Sequence, residues 1–378
     1  MRVTAAFTLM HPRRIRFGVG CFEEVGQEAA VLGRRALIMC GRSAMRTTGI
    51  LRRLVEHLSL AGVGEVVFDR VEPDPSRETV EEARALGRRE ACDFIIGLGG
   101  GSSLDAAKAT AMMMTHDGSV AEYHSKLRAF ERPGLPVLAI PTTAGSGAEA
   151  TRNAVISDRE KGIKESLRGP GMGATVALVD PELTVSMSPR LTADTGMDAL
   201  TQAIECYLST AAHPISDVLS LRAMSLIYAN LERAYQEGHD VRNRVPVMLG
   251  SLMAGMAFAD AGLGAVHGLS HPLGARLNLS HGFVCAVTLP YVLEFNYDVC
   301  KERFADMARA LNLRQGSEVI SAVRALNRIL GIPDNLRAYG FTEDMIPVVV
   351  AECRSNSMSK NPRPASDEDI VRIVRHLL

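Results

Sequence analysis

Three histidines in a short stretch, and a carboxylate within a helical pattern, are the residues of this sequence best suited to metal chemistry. His267 and His271 lie four residues apart in AVHGLSHPLG, and His281 follows in LSHGFVC. Asp198 and Gln202 are also four apart, in GMDALTQAIE, and therefore share one face of a helix. Imidazole together with carboxylate is a common ligand set for Zn²⁺ or Fe²⁺. A single histidine beside apolar neighbours is more often structural, and the spacing leaves open whether Asp198 meets the histidines.

A glycine cluster marks the end of an apolar, strand-like run. Gly99, Gly100 and Gly101 follow CDFIIGL and precede Ser102 and a helical pattern. Glycine lets a ligand approach backbone N–H groups closely, and a helix N-terminus attracts anions, so this loop is suited to a pyrophosphate. Because the spacing is not G-x-G-x-x-G, an ordinary strand–helix turn remains the alternative.

Two further loops follow strand patterns and strengthen the expectation of a dinucleotide. Thr142 and Thr143 come directly after PVLAIP, and ligands of open α/β sheets bind at the carboxyl ends of strands. Gly41 and Arg42 follow ALIMC, where an acidic residue would bind the ribose of NAD. The arginine favours NADP(H) at least as much as NAD(H), although it could equally be a solvated surface side chain.

The elements that carry these residues divide the chain into two halves. Up to about residue 185, continuous apolar strand patterns alternate with helical ones, which predicts a parallel sheet covered by helices on both faces. From TADTGMDAL onward the patterns are helical. A chain of 378 residues also exceeds the usual size of one hydrophobic core. We therefore predict a dinucleotide-binding α/β domain over residues 1–185 and an all-α domain, carrying the metal and substrate sites, over 186–378.

Composition excludes several classes of partner. With 42 Lys and Arg against 43 Asp and Glu, the net charge of −1 provides no basic surface for nucleic acid or an anionic membrane. No apolar run approaches the ~18 residues of a transmembrane helix, and the N-terminus does not resemble a signal peptide. The seven cysteines are scattered and odd in number, which predicts buried thiols in a reducing compartment. We expect a cytoplasmic protein that acts on a small molecule.

Several longer motifs resemble those of one known family, the iron-containing (group III) alcohol dehydrogenases. They are GGGSSLDAAKA (99–109), PTTAGSGAEATRNAVISD (141–158), DPELTVSMSP (180–189), GMDALTQAIE (196–205), VHGLSHPLGA (266–275) and LSHGFVCAVTLP (279–290). The resemblance runs from about residue 10 to the C-terminus. It implies a Rossmann-like α/β domain followed by an all-α domain, with the cofactor and a divalent metal in the cleft between them.

The resemblance also assigns residues to the cofactor and the substrate. The implied cofactor contacts, in addition to Gly41, Arg42 and Gly99 of the loops, are Gly100, Gly101, Ser102, Asp105, Thr142, Thr143, Thr151, Asn153 and Lys164. Asn153 and Phe258 would lie near the nicotinamide and the substrate. His271 matches a histidine that relays protons in the family and is not usually a ligand.

Asp198, His267 and His281 match three metal ligands of the family, but the second ligand position does not match. The family pattern is Asp-x-x-x-His, and this sequence has Gln202 there. A glutamine oxygen is neutral and a weaker ligand than imidazole for a borderline metal. A metal with Gln202 as ligand, a metal with water in its place, and no metal are all open, so both Fe²⁺ and Zn²⁺ stay candidates.

The function predicted from this resemblance is reversible hydride transfer between a small aliphatic alcohol and NAD(P)⁺. The alternatives are a metal-independent NAD(P)H reductase similar to the maleylacetate reductases, a lyase similar to dehydroquinate synthase, and a non-catalytic nucleotide-binding homologue. The local motifs match the dehydrogenases better than the lyase. The resemblance also implies a homodimer or a larger homo-oligomer.

Overall fold

The computed structural model describes residues 6–378, which form eight strands and fifteen α-helices. The strands are β1 (Arg14–Phe17), β2 (Arg35–Gly41), β3 (Gly64–Val71), β4 (Phe94–Gly99), β5 (Val137–Pro141), β6 (Asn153–Asp158), β7 (Ile163–Arg168) and β8 (Val176–Val179). Helices before residue 189 are α1 (Val25–Ala30), α2 (Ala44–Thr47), α3 (Ile50–Leu60), α4 (Arg77–Arg89), α5 (Gly101–Thr115) and α6 (Val120–His124). Those after it are α7 (Pro189–Leu208), α8 (Pro214–Gln236), α9 (Val241–Ala261), α10 (Ala265–Leu277), α11 (His281–Asn296), α12 (Lys301–Ala310), α13 (Glu318–Ile329), α14 (Ile346–Glu352) and α15 (Asp367–Arg375).

The predicted parallel sheet is confirmed. Six strands pair in parallel in the order β1-β8-β5-β4-β2-β3. The register pairs Met39 with Gly97 and Gly99 with Pro141, so the carboxyl ends of β2, β4 and β5 lie side by side. The three loops singled out in the sequence therefore leave one edge of the sheet together, which is where such sheets bind ligands.

Two strands were missed, and one predicted strand pairs differently. β1 (RIRF) alternates charged and apolar residues and β7 (IKESLR) is mostly polar, so neither shows the continuous apolar run of a strand buried on both faces. β6 does not join the parallel sheet but forms a separate antiparallel hairpin with β7. A half-exposed hairpin of this kind shows period-two alternation, which is a weaker sequence signal than an apolar run.

The later part of the described chain is helical, as predicted. Ser188 caps α7 by accepting a hydrogen bond from the Leu191 N–H at 3.2 Å, and Pro189 occupies the first helical position. α9 ends at Gly262, whose φ of +72° is left-handed and stops the helix before α10. Among residues 6–378 no single helix is long and apolar enough to cross a membrane, although α9 and α10, bent by 105°, meet the length and composition test as a pair.

The described chain divides into two compact units. The α/β unit holds residues 10–143 and 147–186, and its core is formed largely by apolar side chains of the sheet and of the helices packed on it. The helical unit holds residues 187–378, together with Ala144–Ser146 and the described residues before Met10. The glycine loops belong to the α/β unit and the Asp/His residues to the helical unit.

Candidate functional site

Three helices of the helical unit bring the predicted metal-binding residues together. α7 presents the buried Asp198 and Gln202 one turn apart, α10 carries the buried His267, and α11 begins at the half-buried His281. Cys285 lies one turn further along α11 and is fully buried. Residues four apart on a helix share a face, so each helix directs its polar side chains to one region.

The distances among these side chains suit a single cation. Asp198 Oδ1 lies 3.5 Å from His267 Nε2 and 3.8 Å from His281 Nε2. Cys285 Sγ lies 3.6 Å from His281 Nε2, and one ligand atom from each of the four residues falls within 4.8 Å of all the others. Ligand atoms arranged tetrahedrally at about 2.0–2.3 Å from one metal ion are roughly 3.3–3.8 Å apart.

Hydrogen bonding provides the test of whether these residues fit a metal. Asp198 Oδ1, Gln202 Oε1 and His267 Nε2 are all buried and have no hydrogen-bond partner among the described residues. An unpaired polar atom in the interior costs about 1–3 kcal/mol, so native proteins rarely leave several in one place. A divalent cation would satisfy the carboxylate oxygen and the imidazole nitrogen together. The residues present therefore fit such an ion.

Glu205 holds His267 in the orientation that this arrangement needs, although the sequence analysis did not single it out. Its buried carboxylate lies 2.6 Å from His267 Nδ1 and also accepts a hydrogen bond from the Gly264 N–H at 3.0 Å. With Nδ1 bound in this way, Nε2 faces Asp198. A carboxylate behind a ligating histidine is the usual support of a metal site. The only feature of the sequence that points to Glu205 is its position two helical turns after Asp198.

The ionisable groups of the cluster shift one another's pKa values. Burial lowers the pKa of His267, but the carboxylates of Asp198 and Glu205 outweigh burial and raise the pKa to about 9. Burial raises the pKa of Asp198, yet His267 and His281 beside it leave the pKa below its usual value. Burial and the Asp198 charge raise the pKa of the Cys285 thiol well above normal. Without a cation, the cluster therefore binds protons where a metal would bind.

His271 and Phe258 lie in the same unit as the cluster. The His271 ring stacks on the His281 ring, with centroids 5.2 Å apart. His271 is half-buried, one turn after His267 on α10. Phe258 is also half-buried, on α9, where it packs against an apolar group that includes Cys206.

The glycine loop of the α/β unit has the backbone that its sequence suggested. Gly99 has φ +144°, and a Cβ there would lie 2.6 Å from Ser103 Oγ, so only glycine fits. Gly100 precedes the first residue of α5, and a Cβ on it would lie 3.3 Å from Thr143 Oγ1. The Thr142 N–H donates to the Gly99 carbonyl at 2.9 Å. The glycine and threonine loops are therefore adjacent, and a side chain at either glycine would be crowded.

Lys164 lies near this loop because the β6–β7 hairpin carries it there. Its Nζ is 2.7 Å from Asp74 Oδ2, and the Asp74 N–H donates to Ser102 Oγ at 3.2 Å. Asn153 lies on the paired strand, where its Nδ2 donates to Ser166 Oγ at 2.8 Å. The cofactor roles of Lys164, Ser102 and Asn153 stay predictions.

Asp105 and Thr151 have polar atoms that are already engaged by another side chain. The buried Lys108 Nζ lies 2.9 Å from Asp105 Oδ1 and donates to Thr151 Oγ1 at 3.0 Å. The other Asp105 oxygen accepts from the Val155 N–H at 3.0 Å. These contacts join α5 to the segment that enters the hairpin, so both residues have a structural role whatever they contact in a cofactor.

Gly41 and Arg42 lie at the third loop, after β2. Gly41 ends the strand next to β4, and the Arg42 side chain is exposed. Its exposure is compatible with a role toward a ligand phosphate and equally with a surface position, so the predicted preference for NADP stays a prediction.

The chain is similar to known proteins over nearly its whole length. A family model described as iron-containing alcohol dehydrogenase matches residues 12–181, and one described as the C-terminal part of the Fe-containing alcohol dehydrogenase family matches residues 192–378.

Individual relatives agree with the family models. The NAD-dependent methanol dehydrogenase of Bacillus methanolicus is 35% identical over 370 residues, which cover 96% of this chain and 97% of the relative. The long-chain-alcohol dehydrogenase 1 of Geobacillus thermodenitrificans is 36% identical over 374 residues, covering 96% and 94%. The crystal structure of sulfoacetaldehyde reductase from Bifidobacterium kashiwanohense in complex with NAD⁺ matches with a TM-score of 0.93 at 31% identity, covering 99% of both chains.

Proposed function

The chain belongs to the iron-containing alcohol dehydrogenase family, and from that membership we propose that it transfers hydride reversibly between a small aliphatic alcohol and NAD(P)⁺. The observation that carries this proposal is the cluster of Asp198, His267 and His281, in which Asp198 Oδ1 and His267 Nε2 are buried without a hydrogen-bond partner among the described residues. An uncharged hydroxyl is a poor hydride donor unless its proton is removed, and this cluster offers the chemistry to assist that step.

The metal half of the proposal concerns residues 186–378. Asp198, His267 and His281 would hold a divalent cation, either Fe²⁺ or Zn²⁺, and Gln202 is the fourth candidate ligand from the family pattern. When bound, the cation would supply Lewis acidity toward the substrate oxygen. Glu205 keeps the His267 ring oriented through its contact with Nδ1.

We assign to His271 the transfer of the proton between the substrate and solvent. An imidazole titrates near neutral pH and can pass a proton between substrate and solvent, directly or through water. The stacking of His271 on His281 supports this role, because it places the ring beside the cluster and not within it. Asn153 and Phe258 are proposed to contact the nicotinamide or the substrate.

The cofactor half of the proposal concerns residues 1–185. The adjacent Gly99–Ser102 and Thr142–Thr143 loops at the carboxyl end of the sheet support pyrophosphate binding. The names of two relatives specify NAD, whereas Arg42 favours the 2′-phosphate of NADP. Mutation of Arg42 to Ala separates the two: it raises KM for NADP⁺ more than KM for NAD⁺ if Arg42 contacts that phosphate.

The proposal also covers the cellular location and the oligomeric state. The seven cysteines are all free, which supports a reducing, cytoplasmic location. A homodimer or larger homo-oligomer is proposed on the family resemblance alone.

The direct test is a metal-dependent assay. Metal-stripped protein is supplied with Zn²⁺ or Fe²⁺ and assayed on a panel of small alcohols with NAD⁺ and with NADP⁺. Oxidation that a chelator abolishes and one metal restores is the expected result. Activity that a chelator leaves unchanged would instead identify a metal-independent reductase, and cofactor binding without turnover of any substrate would identify a non-catalytic homologue.

A further inference from the structure

Cys285 occupies a place in the metal cluster that the family pattern does not give to cysteine. It follows His281 by one turn of α11, so both side chains project from the same face of that helix. Its sulfur is fully buried and lies 3.6 Å from His281 Nε2. Together with Asp198 and His267 it completes four ligand-type residues whose atoms fall within 4.8 Å of one another.

Gln202 occupies the position where the family has a histidine, but its chemistry suits a supporting role. Its oxygen is neutral and a weak ligand for a borderline metal, whereas a thiolate is among the strongest. The Gln202 oxygen is buried and has no hydrogen-bond partner among the described residues, so an amide oxygen and a thiolate compete for the fourth position, and the thiolate is the stronger ligand.

We propose that the Cys285 thiolate, and not the Gln202 amide, is the fourth protein ligand of the metal, and that the resulting Asp/His/His/Cys set makes this a zinc site and not an iron site. The inference rests on the proposed metal-assisted function and identifies the ion at that site.

The separations support sulfur as a ligand. A zinc ion bound at about 2.3 Å from sulfur and 2.0–2.1 Å from nitrogen places those two atoms about 3.5–3.6 Å apart in tetrahedral geometry. The observed 3.6 Å between Cys285 Sγ and His281 Nε2 agrees with that value. The 3.5 Å between Asp198 Oδ1 and His267 Nε2 falls within the roughly 3.3–3.6 Å expected for oxygen and nitrogen ligands at about 2.0–2.2 Å.

Metal binding at this site would change the number of protons bound to the protein. The thiol loses its proton to solvent as the metal–sulfur bond forms, and His267 binds through its neutral form, so binding releases protons. Ser270 is placed to accommodate the change: the Cys285 thiol donates to Ser270 Oγ at 3.3 Å, and the Ser270 hydroxyl donates to the Val266 carbonyl at 2.7 Å. Once the sulfur is deprotonated, that hydroxyl can rotate and donate to it.

Zinc X-ray absorption on the unmodified protein tests the proposal without any variant. Metal-stripped protein is loaded with one equivalent of Zn²⁺, and the absorption fine structure at the zinc edge is measured. The expected result is one sulfur neighbour at about 2.3 Å among nitrogen and oxygen neighbours at about 2.0–2.1 Å. A shell of nitrogen and oxygen alone would overturn the proposal.

Cobalt substitution adds a comparison among variants. Co²⁺ bound to a thiolate absorbs in the near ultraviolet through sulfur-to-metal charge transfer. The band is expected in wild type, in Gln202→Ala and in the matched control Cys206→Ser, which changes a buried cysteine on α7 outside the cluster. It is expected to vanish in Cys285→Ser, with zinc binding at least about 100-fold weaker, since loss of an outer-shell contact alone costs 10–100-fold. Persistence of the band in Cys285→Ser, or its loss in Gln202→Ala, would contradict the assignment.

These readouts separate the inference from the proposed function, because neither needs a substrate. A zinc–sulfur shell in protein that oxidises no alcohol would leave the ligand assignment intact and reject the activity. Metal-dependent alcohol oxidation with no sulfur neighbour would do the reverse.

Discussion

Two clusters of buried polar side chains, one in each unit, differ in whether their atoms are paired. In the α/β unit, Lys108 contacts Asp105, Thr151 and the Ala148 carbonyl, all at 2.9–3.0 Å. The second Asp105 oxygen accepts from a backbone N–H. This network is closed, because its cation is a lysine of the chain itself.

The cluster of Asp198, His267, His281 and Cys285 in the helical unit includes no lysine or arginine. Asp198 and His267 direct unpaired buried atoms toward one another across 3.5 Å. A carboxylate and imidazoles, arranged around a common point, obtain their positive charge from bound protons or from a metal ion, both of which come from solution. The comparison teaches that buried polar residues of similar type stabilise the fold when their partners belong to the same chain. They form a binding site when a partner has to come from solution.

The cluster of Asp198, His267, His281 and Cys285 is called the open cluster, and the network around Lys108 the closed cluster. The largest effect is expected when the open cluster loses the charge of Asp198. Asp198→Asn keeps the shape of the side chain but removes its charge, so it should abolish tight metal binding and lower kcat/KM for alcohol oxidation roughly 10³- to 10⁴-fold, the several kcal/mol that a metal supplies. Metal analysis and steady-state kinetics measure both.

Asp194→Asn is the matched control, a buried carboxylate one turn earlier on α7 that accepts from Ser280 Oγ at 2.6 Å. Its metal content should equal that of wild type. Equal metal loss in both variants would show that the effect at Asp198 is not ligation.

The closed cluster should respond to mutation in the opposite way. Lys108→Met removes the internal cation and leaves Asp105 without its partner, which should lower the free energy of unfolding by about 3–5 kcal/mol. The metal content of the folded protein should not change. Urea denaturation followed by circular dichroism measures the first quantity, and a variant that is as stable as wild type would show that the network is not structural.

Glu149 makes the α/β unit sensitive to pH. Burial raises the pKa of this carboxyl from 4.5 to about 7, against opposing effects of its own backbone N–H and of Lys108. The folded protein therefore keeps this proton between about pH 4.5 and 7, where the unfolded chain has lost it. The contribution to stability is full below pH 4.5, falls as the pH rises to 7, and amounts to roughly 3 kcal/mol at about 1.4 kcal/mol per unit.

Comparison of wild type with Glu149→Gln isolates this contribution from other titrating groups. The difference in unfolding free energy between the two proteins should change between pH 4.5 and 7 and stay constant above pH 7. A difference that is constant over the whole range would mean that folding does not raise the pKa of Glu149.

Much of the fold could be predicted because buried parallel strands leave a strong signal. The runs at β2, β4 and β5 are almost entirely apolar and end in glycine or proline, so both the sheet and its ligand-binding edge were predictable. β1 and β7 were not, since their charged and polar residues fit a half-exposed strand and a polar loop equally well. Pairing partners in a sheet are also set by long-range contacts that local patterns do not contain.

The candidate site was only partly predictable for a related reason. The pairs 198/202 and 267/271 share helix faces, which spacing reveals, but nothing local indicates that α7, α10 and α11 converge. Cys285 lies among apolar residues and was expected to be a buried thiol, as it is; its place in the cluster follows from the packing of α11 against α7. The partner of Glu205 is 62 positions away in the chain, beyond any periodicity.

Glu205 gives the smallest predicted effect, and it tests whether the open cluster depends on internal support. Glu205→Gln keeps a hydrogen-bond acceptor near the N–H groups at the start of α10 but removes the charge behind His267 Nδ1. We expect zinc affinity to fall about 10- to 100-fold, as for other carboxylates behind ligating histidines. The pKa of His267 should fall from about 9, since Glu205 is one of the groups that raise it, and proton release on metal binding should decrease accordingly. Competition with a zinc chelator measures the first change and calorimetry in buffers of different ionisation enthalpy the second. If affinity fell while proton release stayed the same, Glu205 would act only on the packing of α10, and the support of the metal cluster would have to lie elsewhere.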